Sequence, residues 1–315
     1  MMENVRHRMF LILGFCIAEI VQLLSAGSVM ASSWGRVIYK EDSLYQRLFV
    51  YKYGSIVTLR FGRQPITQIQ SQVNLNDLRQ HMLEYTSLAF CGLLYKAEPN
   101  SVLVLGLGGG VIPREMHYYF PSAEIDVVEI DPKIQEIAGK YFGFIEDDKL
   151  KVHIDDGRVF IKKQLRKGIT KKYDIVILDA FNGDYIPFHL MTKEFLEEVK
   201  EVLSDDGVVV ANVFSNNRLF DAELKTFLTV FGRCQVFYGA GSINAMLVSP
   251  GSEGRILSIK EAINQANILQ REVGFFFDMP MVAGRLRPLI RPDHSAKVLT
   301  DDRAPVNRLR RQRRR

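Results

Sequence analysis

The chain has 315 residues, 47% hydrophobic and 24% charged, a balance that excludes wholesale disorder and a polytopic membrane protein and leaves room for one large domain with a smaller one. The net charge of +5 argues for no nucleic-acid partner, because six arginines crowd into the last eight residues (Arg308, Arg310, Arg311, Arg313, Arg314, Arg315) and the rest is nearly neutral. Cys16, Cys91 and Cys234 lie far apart and the six histidines are scattered, so neither a disulfide framework nor a metal site is readable.

Arg6 and Arg8 precede an apolar run from Met9 to Ala18, which Glu19 interrupts before Ile20–Ala31 resume it. Residues 1–31 therefore read as a signal-like or membrane-anchor segment, with membrane association expected through residues 9–31. Glu19 near the centre of a span would cost about 2 to 3 kcal/mol. The domain that follows is expected in the cytoplasm; export by a signal peptide is the competing reading.

Residues 32–75 alternate apolar and polar positions through Val37–Tyr39, Tyr45–Tyr51, Ile56–Phe61 and Ile66–Gln70, with Gly54 and Gly62 as punctuation. They predict a small antiparallel β-domain. From Asn76 to Tyr95 the spacing of Leu78, Met82, Tyr85, Leu88, Ala89 and Leu93 predicts a linker helix. Beyond Pro99, through residue 250, short apolar runs alternate with helical stretches, the pattern of a parallel sheet covered on both faces. Strands are expected at 101–105, 124–129, 151–154, 175–179, 207–213, 235–238 and 245–248. The result is a class I methyltransferase-like, Rossmann-like α/β fold with a seven-stranded, mainly parallel sheet. Asp131 followed by Pro132 opens its clearest helix. Residues 251–300 form an extension, with a helix around Ser258–Gln270 and a loop over Pro280–Pro292, and residues 301–315 a basic, solvated tail.

The chemistry sits at strand ends. Val102–Leu105 runs into Gly106-Leu107-Gly108-Gly109-Gly110, a turn that lets backbone approach a ligand closely before a helix begins. Glu129 closes the next strand, 23 residues after Gly106, where a carboxylate can accept from both hydroxyls of a ribose. Asp156-Gly157 follows the third strand; Asp156 can accept from an adenine amino group or cap the next helix. Asp179 ends the wholly apolar run Ile175–Leu178. A carboxylate there is costly unless used, and it suits a base that takes the proton of an attacking amine. Asp184 adds negative field for a cationic amine, or turns the chain with Gly183.

These residues resemble the spermidine synthase, or polyamine aminopropyltransferase, family from about Val37 to Pro250, and its divergent spermidine synthase-like branch in particular. Ser43-Leu44-Tyr45-Gln46 looks like the family's Y-Q strand motif, which implies that Gln46 contacts the nucleoside. Gln80-His81-Met82 is similar to its Q/H-E-M motif and implies that Gln80 faces the amine. Glu129 and Asp156-Gly157 fall at the ribose and adenine contacts, and Asp179 at the proton acceptor that opens D-x-x-D-P. Pro187 with Leu190, Thr192, Glu194 and Phe195 resembles the segment that lies by the cofactor.

Two positions depart from the family pattern: Gly109 stands where the glycine loop carries Asp, and Asn182 where D-x-x-D-P has its second Asp. A carboxylate at position 109 would repel the carboxylate of S-adenosylmethionine and favour the decarboxylated compound. The resemblance implies aminopropyl transfer from decarboxylated S-adenosylmethionine to a small diamine such as putrescine, without a metal, by a homodimer. Methyl transfer from S-adenosylmethionine, and a non-catalytic, membrane-tethered nucleoside binder, are the alternatives. Thr300-Asp301-Asp302-Arg303-Ala304-Pro305 resembles the end of the divergent branch and has no assigned role.

Overall fold

A computed structural model describes residues 35–62, 69–168, 171–181, 186–287 and 289–312. The segment 1–31 and the site candidates Asn182 and Asp184 lie outside the described residues. Among the described residues no helix is long and apolar enough to cross a membrane.

Strands β1 (Arg36–Asp42), β2 (Arg47–Tyr53), β3 (Ile56–Phe61) and β4 (Ile69–Asn74) pair antiparallel in chain order. Their period-two pattern buries Leu48, Val50, Val57 and Leu59 on one face, while Phe49 and Tyr51 stack half-buried on the other. The expected helix from Asn76 is absent. Side chains of Asn74 and Asp77 accept hydrogen bonds from the amides of Asn76 (3.1 Å) and Arg79 (3.2 Å), local turns that compete with helix. Helix α1 starts only at Glu84 (Glu84–Leu88) and tightens into a 3₁₀ segment, Ala89–Leu94.

The large sheet contains β5 (Ser101–Leu105), β6 (Glu124–Glu129), β7 (Leu150–Ile154), β8 (Tyr173–Leu178), β9 (Leu203–Phe214), β10 (Gln235–Tyr238), β11 (Asn244–Pro250) and β12 (Leu286–Arg287), in the spatial order β12-β10-β11-β9-β8-β5-β6-β7. Strands β7, β6, β5, β8 and β9 are parallel; β11 pairs antiparallel with β9, β10 with β11 and β12 with β10. Helices α2 (Val111–Tyr119), α3 (Pro132–Tyr141), α4 (Gly157–Arg166), α5 (Lys193–Val202) and α6 (Arg218–Phe231) cover it. All six residues of β8 are buried, as a strand covered on both faces requires. The chain winds outward from β5 through β6 to β7, then returns to the other side of β5 with β8. The switch point between β5 and β8 leaves a crevice at their carboxyl ends.

Four expectations change toward the C-terminus. The sheet has eight strands, not seven, because Leu286 and Arg287 pair with Phe237 and Val236. The stretch expected as a loop over 280–292 also holds α8 (Met279–Gly284), whose Asp278 cap accepts from the Met281 amide at 2.7 Å. That capping chemistry outweighs the early proline, which is harmless in a first turn. The division at residue 250 is not a packing boundary: Ala262, Ala266 and Leu269 of α7 (Ile259–Val273) and Phe275, Met279 and Val282 share one core with Leu48 and Leu59 of the small sheet. The basic end is folded rather than free as far as residue 312. Val306 of α9 (Val306–Arg310) is buried, and the Gln312 carbonyl accepts from the Arg218 amide at 2.9 Å.

Candidate active site

A cleft of about 1130 Å³, including its open mouth, lies over the carboxyl ends of β5, β6, β8 and β9, with Gln46, Phe61, Ile69 and Gln70 of the small sheet as its opposite wall. Gly106 has φ +101°, and a Cβ there would collide with the carbonyl of Asp179. The glycine therefore lets β5 and β8 leave the sheet side by side, with the Asp179 amide donating to the Leu105 carbonyl at 2.8 Å. Gly108, at φ +54°, presents bare backbone to the cleft.

Glu129 is buried at the end of β6. It accepts from the Leu107 amide (3.0 Å) and the Asp131 amide (2.9 Å), which fix it across the glycine turn while burial raises its pKa. Asp131 caps α3, as expected, by accepting from the Lys133 amide at 3.0 Å, and its other oxygen accepts from the Ser43 hydroxyl at 2.5 Å. That bond holds the turn bearing Tyr45 and Gln46 against the cleft mouth. The side-chain oxygen of Gln46 is buried in the cleft wall without a hydrogen-bond partner, an acceptor that a bound donor would satisfy.

Asp156 does both things its position allows. One oxygen accepts from the Arg158 and Val159 amides, 3.0 Å each, and caps α4; the other meets His189 Nε2 at 2.9 Å. The histidine bond, with the cap, holds the carboxyl below its ordinary pKa, although burial opposes this. Gly157 and Pro187 line the cleft beside it.

Asp179 is buried where β8 ends, and burial pushes its pKa up to about 7. One hydrogen bond opposes that rise: Asn212 on β9 donates to its carboxylate at 2.8 Å, and Asn244 on β11 donates to the Asn212 carbonyl oxygen at 2.9 Å. Three neighbouring strands thus set the orientation of one carboxylate. Tyr85 of α1 also lines the cleft, its hydroxyl donating to the Gln70 carbonyl at 2.9 Å.

Gln46, Gly106, Gly108, Glu129, Asp156, Gly157, Asp179 and Pro187 are brought together as expected; Gln80 and Gly109 are not. Gln80 lies outside the cleft because the turn over 76–83 replaces the first half of the expected helix, and its side chain accepts from Asn74 at 3.0 Å. Gly109 is tucked behind the turn, where a Cβ would come within 2.5 Å of Ser71 Oγ and 2.6 Å of Phe142. Sequence reasoning missed Tyr85, His189, Asn212 and Asn244. Asn212 carried a usable signal, since it interrupts the apolar run Val208–Val213 just as Asp179 ends its own.

Among the described residues the cleft wall holds three carboxylates, Glu129, Asp156 and Asp179, and no lysine or arginine. Such a site favours cations and, among the described residues, offers no lysine or arginine to pair a ligand's carboxylate.

The spermine/spermidine synthase domain matches residues 82–240. The chain is 36% identical over 299 residues to the polyamine aminopropyltransferase of Vibrio vulnificus, covering 93% of this chain and 96% of that protein. Its fold is similar to a probable spermidine synthase from Corynebacterium glutamicum (TM-score 0.65, 18% identity, 86% of this chain and 99% of that one). It is also similar to human methyltransferase-like protein 13 in complex with SAH (TM-score 0.53, 29% identity, 67% of this chain and 94% of that one). With the nucleoside-type turn, the carboxylate-lined cleft and a full-length relative in agreement, the chain belongs to the spermine/spermidine synthase family.

Proposed function

We propose that the protein transfers the aminopropyl group of decarboxylated S-adenosylmethionine to a diamine such as putrescine, giving the longer polyamine and methylthioadenosine. The observation that carries this reading is the charge of the cleft. Decarboxylated S-adenosylmethionine brings a sulfonium and an ammonium, and a diamine brings more positive charge, to a wall that among the described residues holds three carboxylates and no lysine or arginine. S-adenosylmethionine adds a carboxylate that the wall would leave unpaired. Discrimination against it is thus assigned to the whole wall and not to position 109, where glycine is packed away from the ligand.

In this reading Gln46 and Glu129 hold the nucleoside sugar side, Asp156 the nucleobase, and Gly108 and Pro187 shape the passage beside it. The amine nitrogen attacks the carbon of the aminopropyl group that is bound to sulfur. The C–S bond breaks with its electron pair passing to sulfur, and the N–H proton goes to Asp179. A carboxylate buried enough to titrate near neutrality, and oriented by Asn212, is suited to that role. Asn182 and Asp184 are proposed to face the diamine from the segment that follows.

Methyl transfer from S-adenosylmethionine is the second reading, favoured by the likeness to methyltransferase-like protein 13. The test is to incubate the purified protein with putrescine and each compound separately and follow products by mass spectrometry. Spermidine and methylthioadenosine from the decarboxylated compound alone are expected. A methylated amine from S-adenosylmethionine, or no product from either, would contradict the proposal.

A further inference from the structure

The stretch Thr300–Pro305 lies far from the cleft in sequence and lines none of it, yet its Asp301 makes a bidentate contact with the helix that Asp156 caps. Arg158, two residues beyond Asp156, is buried. Its Nε and Nη2 donate to the two oxygens of Glu198 at 2.8 Å each, and its Nη1 and Nη2 to the two oxygens of Asp301 at 2.7 and 2.8 Å. Nη1 also donates to the carbonyl of His189 at 3.4 Å. Two bidentate carboxylates fix a guanidinium in plane and position far better than one.

Asp301 is itself held. The Thr192 hydroxyl donates to its carboxylate at 2.7 Å, its amide donates to Glu194 at 2.9 Å, and reciprocal backbone bonds between Thr300 and Arg303 (3.2 and 2.9 Å) close the turn on which it sits. From Arg158 the bonding continues into the site: the histidine whose carbonyl it holds is the one whose Nε2 meets Asp156.

We propose that Asp301 is a positioning residue for the nucleobase end of the cleft, acting through Arg158 on the His189–Asp156 pair. This rests on the reading of Asp156 as the nucleobase contact, and gives the Thr300–Pro305 motif a use. The Asp301 side chain is 43% exposed, and Arg158 keeps Glu198 when it is removed. Its loss leaves the Arg158–Glu198 pair in place, so the main effect expected is on the placement of His189 and Asp156.

The test measures binding of methylthioadenosine and of S-adenosylhomocysteine by calorimetry, because both carry the adenosine that Asp156 would hold, and compares KM with kcat. In Asp301→Ala both nucleosides should bind about tenfold more weakly, with KM for the nucleoside substrate raised, kcat nearly unchanged and the melting temperature close to that of the parent. Asp301→Glu should recover most of the affinity, and Lys297→Ala, on the same extension but outside the network, should match the parent. Unchanged affinity in Asp301→Ala, or a fall in kcat and melting temperature without a rise in KM, would overturn the proposal. A parent that binds only S-adenosylhomocysteine would refute aminopropyl transfer and still leave the Asp301 comparison readable; a parent that binds neither would overturn both.

Discussion

Two buried carboxyl groups carry opposite lessons about what a lone acid is for. Asp179 faces the cleft, is oriented by Asn212, and has a proposed proton to receive. Glu223 on α6 is also buried, its pKa pushed up to about 8 by burial alone, but it faces a small apolar cavity lined by Leu178, Phe195 and Phe227. Because its folded pKa lies above the ordinary value of 4.5, the stabilisation is complete below about pH 4.5 and is lost as pH rises through about 8. Glu223→Gln should therefore resist alkaline unfolding, gaining on the order of 3 kcal/mol over the parent by pH 9. Melting curves at pH 6 and pH 9 check this, and an equal loss of stability in both proteins would count against it. From sequence, Asp179 was legible because it closes an apolar strand. Glu223 was not, since an acid within an amphipathic helix looks the same whether it faces water or core.

Among elements, the turn from β5 into α2 is the one whose geometry the site cannot do without. The glycines predicted it, and the structure gives each a different reason. Gly106 makes room for Asp179's backbone, Gly108 exposes its own backbone to the cleft, and Gly109 packs against Ser71 and Phe142. Gly106→Ala combines an unfavourable left-handed backbone with a backbone collision, and should cost about 3 kcal/mol or more. A melting temperature lowered by several degrees, together with lost nucleoside binding, is the expected result; an unperturbed variant would show that β5 and β8 need not approach so closely. Strands β5, β6 and β7 were legible to within a residue as short runs between turn signals, whereas β8 starts two residues and β9 four residues before the apolar runs that announced them. The stretch 76–83 was not, because its helical spacing of apolar residues is real but Asn74 and Asp77 divert the backbone into turns. Gln80 was misplaced with it.

At the scale of the whole molecule, two sheets share one core, and the cleft forms where the small sheet meets the switch point of the large one. That arrangement supplies acidic walls from β6, β7 and β8, with no lysine or arginine among the described lining residues. Contacts made by residues distant in sequence, such as Asn244 behind Asn212 or Asp301 behind Arg158, exist only once the sheet order is set, so no local pattern announces them. In the proposed mechanism this assembly makes Asp179 a base that works near neutrality. The most direct test is the pH dependence of kcat/KM for decarboxylated S-adenosylmethionine with putrescine, measured beside Asp179→Asn. A rate that rises through about pH 7 as Asp179 loses its proton, and falls by a factor on the order of a hundred or more in the variant, is predicted. An Asp179→Asn protein that turns over at the parent's rate with the same pH profile would contradict the account.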